Sequence, residues 1–252
     1  NRQDGWSYMG PSNSLAGYIP IGMWKGVGGC ESGFAKPDPV DNNIIWSGCY
    51  DGGLDRHDLR TGYSRDVRVW PEAGYGWAPA DMKYRWHWNF PLSHSPHTKG
   101  RVYVGSQFVH KTDDDGQSWQ IISPDLTLNL KDHQQSSGGV AIDNLMTFDG
   151  STLFAIEESK FEAGVIWVGT NDGQVQLTRD GGDNWSNLTA NIPDLPEWGT
   201  IANIEPSRFD KATAYITVDL HQMGDFDPYI YKTTDYGQSW AKISAGIPQN
   251  ES

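Results

Sequence analysis

One eight-residue phrase occurs three times in this chain of 252 residues. It reads Thr112-Asp113-Asp114-Asp115-Gly116-Gln117-Ser118-Trp119, then Thr178-Arg179-Asp180-Gly181-Gly182-Asp183-Asn184-Trp185, then Thr233-Thr234-Asp235-Tyr236-Gly237-Gln238-Ser239-Trp240. The shared pattern is Thr-x-Asp-x-Gly-x-x-Trp, and successive copies start 66 and 55 residues apart. A repeat at that period marks supersecondary units that bury their faces only against one another. Each copy has the same surroundings. A β-type run lies upstream: Val102-Tyr103-Val104-Gly105, Ile166-Trp167-Val168-Gly169 and Ala214-Tyr215-Ile216-Thr217-Val218. A short strand then enters the phrase, a further one leaves it, and another apolar run precedes the unit. That makes four short strands per unit, with turn residues between them and no amphipathic helical period.

A degenerate unit precedes these three. Ile44-Ile45-Trp46-Ser47-Gly48 matches the second strand, Asp55 to Gly62 fills the turn with different chemistry, and Val67-Arg68-Val69-Trp70 closes it. The expected architecture is an all-β β-propeller of four-stranded antiparallel blades. Residues 1–27 read as the end of a preceding blade and 28–79 as the degenerate blade. The three complete blades are expected at 80–142, 143–196 and 197–252. Propellers have roughly four to eight blades. A ring left open would expose strand edges, which proteins avoid. The expectation is therefore a portion of a larger, six- to eight-bladed propeller.

The roles within the phrase are structural. The Asp carboxylates (Asp114, Asp180, Asp235) accept backbone N–H groups of their own turn. The Gly residues (Gly116, Gly182, Gly237) take a positive φ. The hydroxyls of Thr112, Thr178 and Thr233 add a local bond, and Trp119, Trp185 and Trp240 pack each turn onto the next strand. One Asp per separate blade cannot form a shared metal site, and nothing in the sequence calls for a cofactor.

Net charge excludes some partners. Nineteen Lys and Arg stand against 32 Asp and Glu, for a net −13. With no basic run, such a chain repels phosphate backbones, so nucleic acid is a poor partner. No window approaches the roughly 18 apolar residues of a membrane span. Cys30 and Cys49 are two residues without a framework pattern, and they read either as one disulfide or as two small buried thiols.

The Thr-x-Asp-x-Gly-x-x-Trp phrase resembles the Asp-box, or BNR repeat, of sialidases, two-propeller xyloglucanases and the sortilin (Vps10) ectodomain. The phrases Gly28-Gly29-Cys30-Glu31-Ser32-Gly33, Ser93-His94-Ser95-Pro96-His97, Val104-Gly105-Ser106-Gln107 and Ile122-Ser123-Pro124-Asp125-Leu126-Thr127 are similar to large bacterial secreted proteins described as glycosyl hydrolase or sortilin N-terminal, BNR-like. This resemblance runs over nearly the whole chain. It implies an extracellular, periplasmic or outer-envelope protein whose remaining blades come from a parent chain or another subunit.

Ligands of propellers lie at the channel mouth, on loops joining strands two and three and on loops linking blades. Here those are Tyr50 to Gly53, Ser106-Gln107, Asn171-Asp172-Gly173 and the long stretch Asp219 to Pro228. Glycoside hydrolysis needs two carboxylates flanking a bond. The candidate acids are Asp51, Glu157, Glu158, Asp172, Asp219, Asp225 and Asp227. Candidate ligand-binding residues are Tyr50, Trp86, Trp88, Asn171, Asp172 and His221. Trp86 and Trp88 are expected to share one face of a strand opposite His87, where they either stack on a sugar or pack the core. A sialidase needs an arginine cluster and an Arg-Ile-Pro phrase; Arg85 stands alone and the phrase is absent, which argues against that activity. His94 and His97 lie in a turn without metal-ligand spacing.

Three functions remain open on the sequence. One is a propeller binding a neutral glycan or a peptide or protein at the channel mouth. The second is a glycoside hydrolase acting on a neutral plant-type polysaccharide, and the third is a structural subunit of an assembly.

Overall fold

The computed structural model describes residues 4–31, 33–74, 76–136 and 151–249. The expected blade boundary at 142/143 lies outside the described residues. Eighteen strands occur among them. The first two, β1 (Tyr8–Met9) and β2 (Lys25–Gly26), pair with each other. The rest form four antiparallel sheets of four strands, each a simple meander. The first sheet contains β3 (Ala35–Pro37), β4 (Ile44–Gly48), β5 (Leu54–Asp58) and β6 (Tyr63–Asp66). In the second are β7 (Leu92–His94), β8 (Val102–Gly105), β9 (Val109–Thr112) and β10 (Gln120–Ile121). The third comprises β11 (Leu153–Glu158), β12 (Ile166–Thr170), β13 (Val175–Thr178) and β14 (Ser186–Asn187). The fourth has β15 (Thr200–Pro206), β16 (Ala214–Leu220), β17 (Asp225–Thr233) and β18 (Ala241–Lys242).

The core is divided between the blades. One apolar cluster joins the first and second sheets through Trp46, Leu54, Phe90 and Val104. A second joins the second and third through Tyr103, Leu126, Ile156 and Val168. A third joins the third and fourth through Trp167, Leu177, Ile204 and Tyr231. Blades covered on both sides need apolar residues on both faces, so β4 and β12 are buried along their whole length. Strand β16 instead alternates buried and half-buried residues, as a sheet packed on one side does.

Three equivalent glycines lie at or next to the ends of the second strands. A Cβ on Gly105 would lie 2.7 Å from the Leu153 Cβ of the next blade, and one on Gly169 would lie 2.4 Å from Ile201 Cγ2. At Gly48 the neighbour is Phe90 Cζ, at 3.3 Å. These positions lack a side chain because the next blade occupies its place.

The repeated turns connect strands three and four and have one geometry. The threonine hydroxyl donates to the aspartate at 2.8 Å in all three turns. The same hydroxyl accepts the glycine N–H at 3.0, 3.0 and 2.9 Å. The aspartate accepts the backbone N–H of Ser118, Asn184 or Ser239, each at 2.9 Å. These bonds hold the carboxyls of Asp114 and Asp180 down at about 2, chiefly through the side chains of Ser118 and Asn184.

The tryptophans correct one expectation: they reach back to the preceding blade rather than to the next strand. Trp119 Nε1 donates to Val67 O and Trp185 Nε1 to Ile122 O, both at 2.9 Å. The glycines press on the same places, since a Cβ on Gly116 would meet Val67 Cβ at 2.7 Å and one on Gly237 would meet Leu188 Cδ1 at 2.5 Å. Each phrase is thus a latch between blades. In the third, the buried Trp240 packs edge-on to Trp167 at 6.0 Å, and its Nε1 has no acceptor among the described residues.

Cys30 and Cys49 form a disulfide with their Cα atoms 4.9 Å apart. It ties the segment entering the first blade to the end of β4.

Candidate functional site

In an antiparallel meander, the loops between strands two and three share one end of the blade with the segments that link blades. A cavity of about 660 Å³ opens at that end. It is built by three blades. His87, Trp88 and Asn89 come from the turn before β7, and Phe154 from the start of β11. Asn171 belongs to the β12–β13 loop, Trp198 and Thr200 to the entry of β15, and Asp219 to Met223 to the end of β16 and the turn after it.

Irregular pairing aims one of these side chains. The β11–β12 register shifts between Leu153 and Ala155, at Phe154. The β16–β17 register also shifts, but its extra residues fall on β17, between Asp225 and Tyr229, and Asp219 stays in register with Thr200. An extra residue in a ladder redirects its side chain, and the redirected Phe154 lines the cavity. Trp198 has a φ of 62°, a left-handed conformation unusual for a bulky side chain. Its ring stacks on His133 at 4.7 Å, with 17° between planes.

The polar groups of the cavity are mostly neutral. His87 is buried, and desolvation lowers its imidazole to about 4. Its Nδ1 accepts the Asn89 N–H at 3.0 Å, which places the ring proton on Nε2 in the neutral form. Its ring meets Phe154 edge-on at 4.8 Å. Asn171 Oδ1 accepts the Thr152 N–H at 3.2 Å, and its carbonyl accepts the Thr200 hydroxyl at 3.2 Å. Asp219 is the one carboxylate among the lining residues. It accepts the His221 N–H at 2.9 Å and sits 2.7 Å from His221 Nδ1.

Of the residues nominated from sequence, Trp88, Asn171, Asp219 and His221 are brought together here. Tyr50 stands behind Trp88, stacked on it at 4.9 Å. Asp172 is buried beside the cavity, with its carboxyl pushed up by desolvation. It accepts the N–H groups of Leu128 and Ser151 at 3.0 and 2.9 Å, a bracing role.

The others lie elsewhere. Trp86 is 4% exposed and packs in the core against Phe90 and His110. The segment Trp86 to Asn89 is not a strand, so the expected alternation of its faces does not arise. The Asn89 N–H turns back onto His87, and Pro91 precedes the first strand of the blade. Asp51 is half-buried at the tip of the β4–β5 loop, with its carboxyl raised by desolvation. Glu157 faces a separate cavity of about 250 Å³, where it pairs with Lys36 at 3.2 Å and accepts the Ser93 hydroxyl at 3.0 Å. Glu158 is buried and accepts Tyr103 Oη and the Gly164 N–H. Asp225 accepts the Asp227 N–H and Tyr229 Oη, both at 2.9 Å. Asp227 lines a third cavity, at Lys242. Arg85 is buried, pairs with Asp125 at 2.5 Å and donates to Ser151 O. His97 Nε2 donates to Ser159 O at 2.7 Å.

Sequence reasoning missed Phe154, His133 and Trp198. No sequence pattern foretells a bulge at Phe154. Trp198-Gly199 is followed by a strand, and an aromatic beside glycine in a blade linker is the one signal that marked it.

The sequence matches no family model and no curated protein. Solved structures do match. An ancestral GH74 enzyme superposes with a TM-score of 0.60 at 15% identity, covering 90% of this chain and 28% of that one. The GH74 xyloglucanase from Xanthomonas campestris gives 0.53 at 16% identity, covering 84% and 29%. The Dos1 propeller gives 0.51 at 12% identity, covering 98% and 53%. The chain thus spans less than a third of the length of those two GH74 enzymes. Among the described residues no helix is long and apolar enough to cross a membrane. At these identities the likeness concerns the fold, and the fold is that of a β-propeller portion.

Proposed function

We propose that this chain is part of an extracytoplasmic Asp-box (BNR-type) propeller that binds a neutral glycan chain at the channel mouth. The observation that carries the reading is the composition of the 660 Å³ cavity. Trp88, Phe154 and Trp198 offer aromatic surface, His87, Asn89, Asn171 and Gln222 offer polar groups, and among the described lining residues Asp219 is the single carboxylate, paired with His221. Rings that expose flat apolar faces stack on such aromatics, and their hydroxyls take both donors and acceptors. The net charge of −13 disfavours polyanions. The Cys30–Cys49 disulfide favours an oxidising compartment.

A xyloglucan oligosaccharide is the first ligand to titrate, by calorimetry, beside cello- and xylo-oligosaccharides and an unrelated extended peptide. Binding of one neutral glycan, weakened about tenfold or more by Trp88→Ala and by Trp198→Ala, supports the reading; tenfold corresponds to about 1.4 kcal/mol. Binding of peptide alone would replace glycan by a protein partner. No binding by any of them would leave a structural role in a larger assembly.

The GH74 fold likeness supports a second reading, glycoside hydrolysis. That chemistry needs a carboxylate pair roughly 5–9.5 Å apart, and Asp219 is alone among the lining residues. A hydrolase would therefore take its second acid from outside them. New reducing ends from xyloglucan, abolished by Asp219→Asn, would establish this reading.

A further inference from the structure

The latches reveal which surface each blade offers to the next. Four residues are equivalent, each following the fourth strand of its blade and donating its N–H to the third strand. Val67 bonds to Leu54 O, Ile122 to Val109 O, Leu188 to Val175 O and Ile243 to Ile230 O, at 2.8, 3.0, 2.9 and 2.8 Å. The first three are seats. Val67 receives Gly116 and the Trp119 indole, Ile122 receives Gly182 and the Trp185 indole, and Leu188 receives Gly237. Val67 and Leu188 are accordingly 3% and 4% exposed and Ile122 is half-buried, whereas Ile243 is 41% exposed. The second strands repeat the pattern. Trp46, Tyr103 and Trp167 are buried by the following blade, while their counterpart Tyr215 is half-buried.

We infer that the outer face of the fourth sheet, from Tyr215 to Ile243, is the seat of a further four-stranded blade carrying its own Gly-x-x-Trp turn. The occupant is defined by continuity with an interface used three times in the same molecule. Its glycine lies on Ile243 and its first strand crosses Thr217. Thr217 stands where Gly48, Gly105 and Gly169 stand in the other blades: it pairs with Asn203 as Gly169 pairs with Ala155. The incoming strand must therefore present a small residue there, where Leu153 or Ile201 sits against the glycines. A second copy of this chain does not fit this requirement through its first blade, whose turn between β5 and β6 (Leu59 to Gly62) contains no tryptophan.

The test adds a blade to the chain. A second copy of residues 197–249 is joined after residue 249, with Ile201→Gly in the appended copy to clear Thr217. Ile243→Cys in the original blade is then labelled with a thiol reagent; the two native cysteines are bonded to each other and stay silent. Labelling is expected to slow at least tenfold in the extended protein, and to recover when the appended copy also carries Gly237→Val. An extended protein that is folded by amide exchange and labels at the unextended rate would overturn the inference. So would slow labelling in the unextended chain with a sedimentation mass near twice 28.1 kDa, which would assign the face to a second copy. If the extended protein does not fold, two single variants decide. Leu188→Lys is expected to lower the melting temperature of the unextended chain by several degrees and Ile243→Lys by less than about two. Equal losses would mean that Ile243 is already covered.

Discussion

Tryptophan-to-phenylalanine substitutions at the three repeated turns separate the indole hydrogen bond from the packing of the ring. Trp119 and Trp185 each donate to a carbonyl of the preceding blade at 2.9 Å. Phenylalanine deletes that bond, whose net contribution is about 1 kcal/mol. Trp240 has no acceptor for its buried N–H among the described residues. Its removal relieves an unsatisfied group, and such groups cost about 1–3 kcal/mol. The polar contributions at Trp185 and Trp240 therefore differ by about 2 kcal/mol or more, in favour of Trp240→Phe. In a domain of 150–250 residues, 1 kcal/mol moves the melting temperature by about 2–4 °C, so the separation is easily read by thermal unfolding followed by circular dichroism. Packing alone predicts the opposite order. Trp240 is 7% exposed and sits in the core cluster of the last two blades, whereas Trp119 and Trp185 are only partly buried. Trp240→Phe as the most damaging of the three variants, or equal losses in all three, would refute the assignment of an energetic role to the indole bonds.

Further outcomes follow from the same structure. Reduction of Cys30–Cys49, or Cys49→Ser, opens a loop with a sequence separation of 19 and should cost about 3 kcal/mol by the loop-entropy estimate, measured as a shift in urea midpoint; no shift would mean that the first blade is held by packing alone. The carboxyls of Asp114 and Asp180 are held at about 2 in the fold, against an ordinary 3.8. A lowered carboxylate stabilises the fold fully above its unfolded value and loses that contribution as pH falls through the folded one. Melting temperature should thus drop between about pH 4 and pH 2, and Asp180→Asn should flatten part of that drop. His87 is lowered to about 4, so its NMR signals should stay those of a neutral ring down to pH 5; a titration near pH 6.5 would contradict its burial. Gly169→Ala sets a Cβ 2.4 Å from Ile201 and should cost about 1–3 kcal/mol by overpacking, whereas the equivalent position in the last blade already carries Thr217.

The blades were legible in the sequence because each is written in local terms. Thr112, Asp114 and Gly116 make their bonds within a few residues of one another, so their spacing carries the turn. Val102 to Gly105 and Ile166 to Thr170 are apolar runs that strand pairing explains directly. The direction of the Trp119 and Trp185 contacts was not legible, because the accepting carbonyls lie 52 and 63 residues earlier. The cavity was readable only in part. Asn171, Asp219 and His221 follow from the rule that places the mouth at the loops between strands two and three. Phe154 depends on a register shift, which is a property of the pair of strands and is invisible in either alone. Trp86 misled because aromatic residues suit a ligand face and a core equally well, and Gly52, on which its ring rests, is distant in sequence.

One ion pair in the inner wall has a consequence for the shape of the mouth. Lys36 lies on β3, the first strand of the first blade, and Glu157 on β11, the first strand of the third. Their bond spans the blade between them as a string spans a bow. Latches between adjacent blades fix how each pair leans, but small errors of lean accumulate around an arc. A link that skips a blade restrains their sum. Both partners are about one-third exposed, so salt slackens this string, and the curvature of the arc acquires a dependence on ionic strength that no single blade possesses.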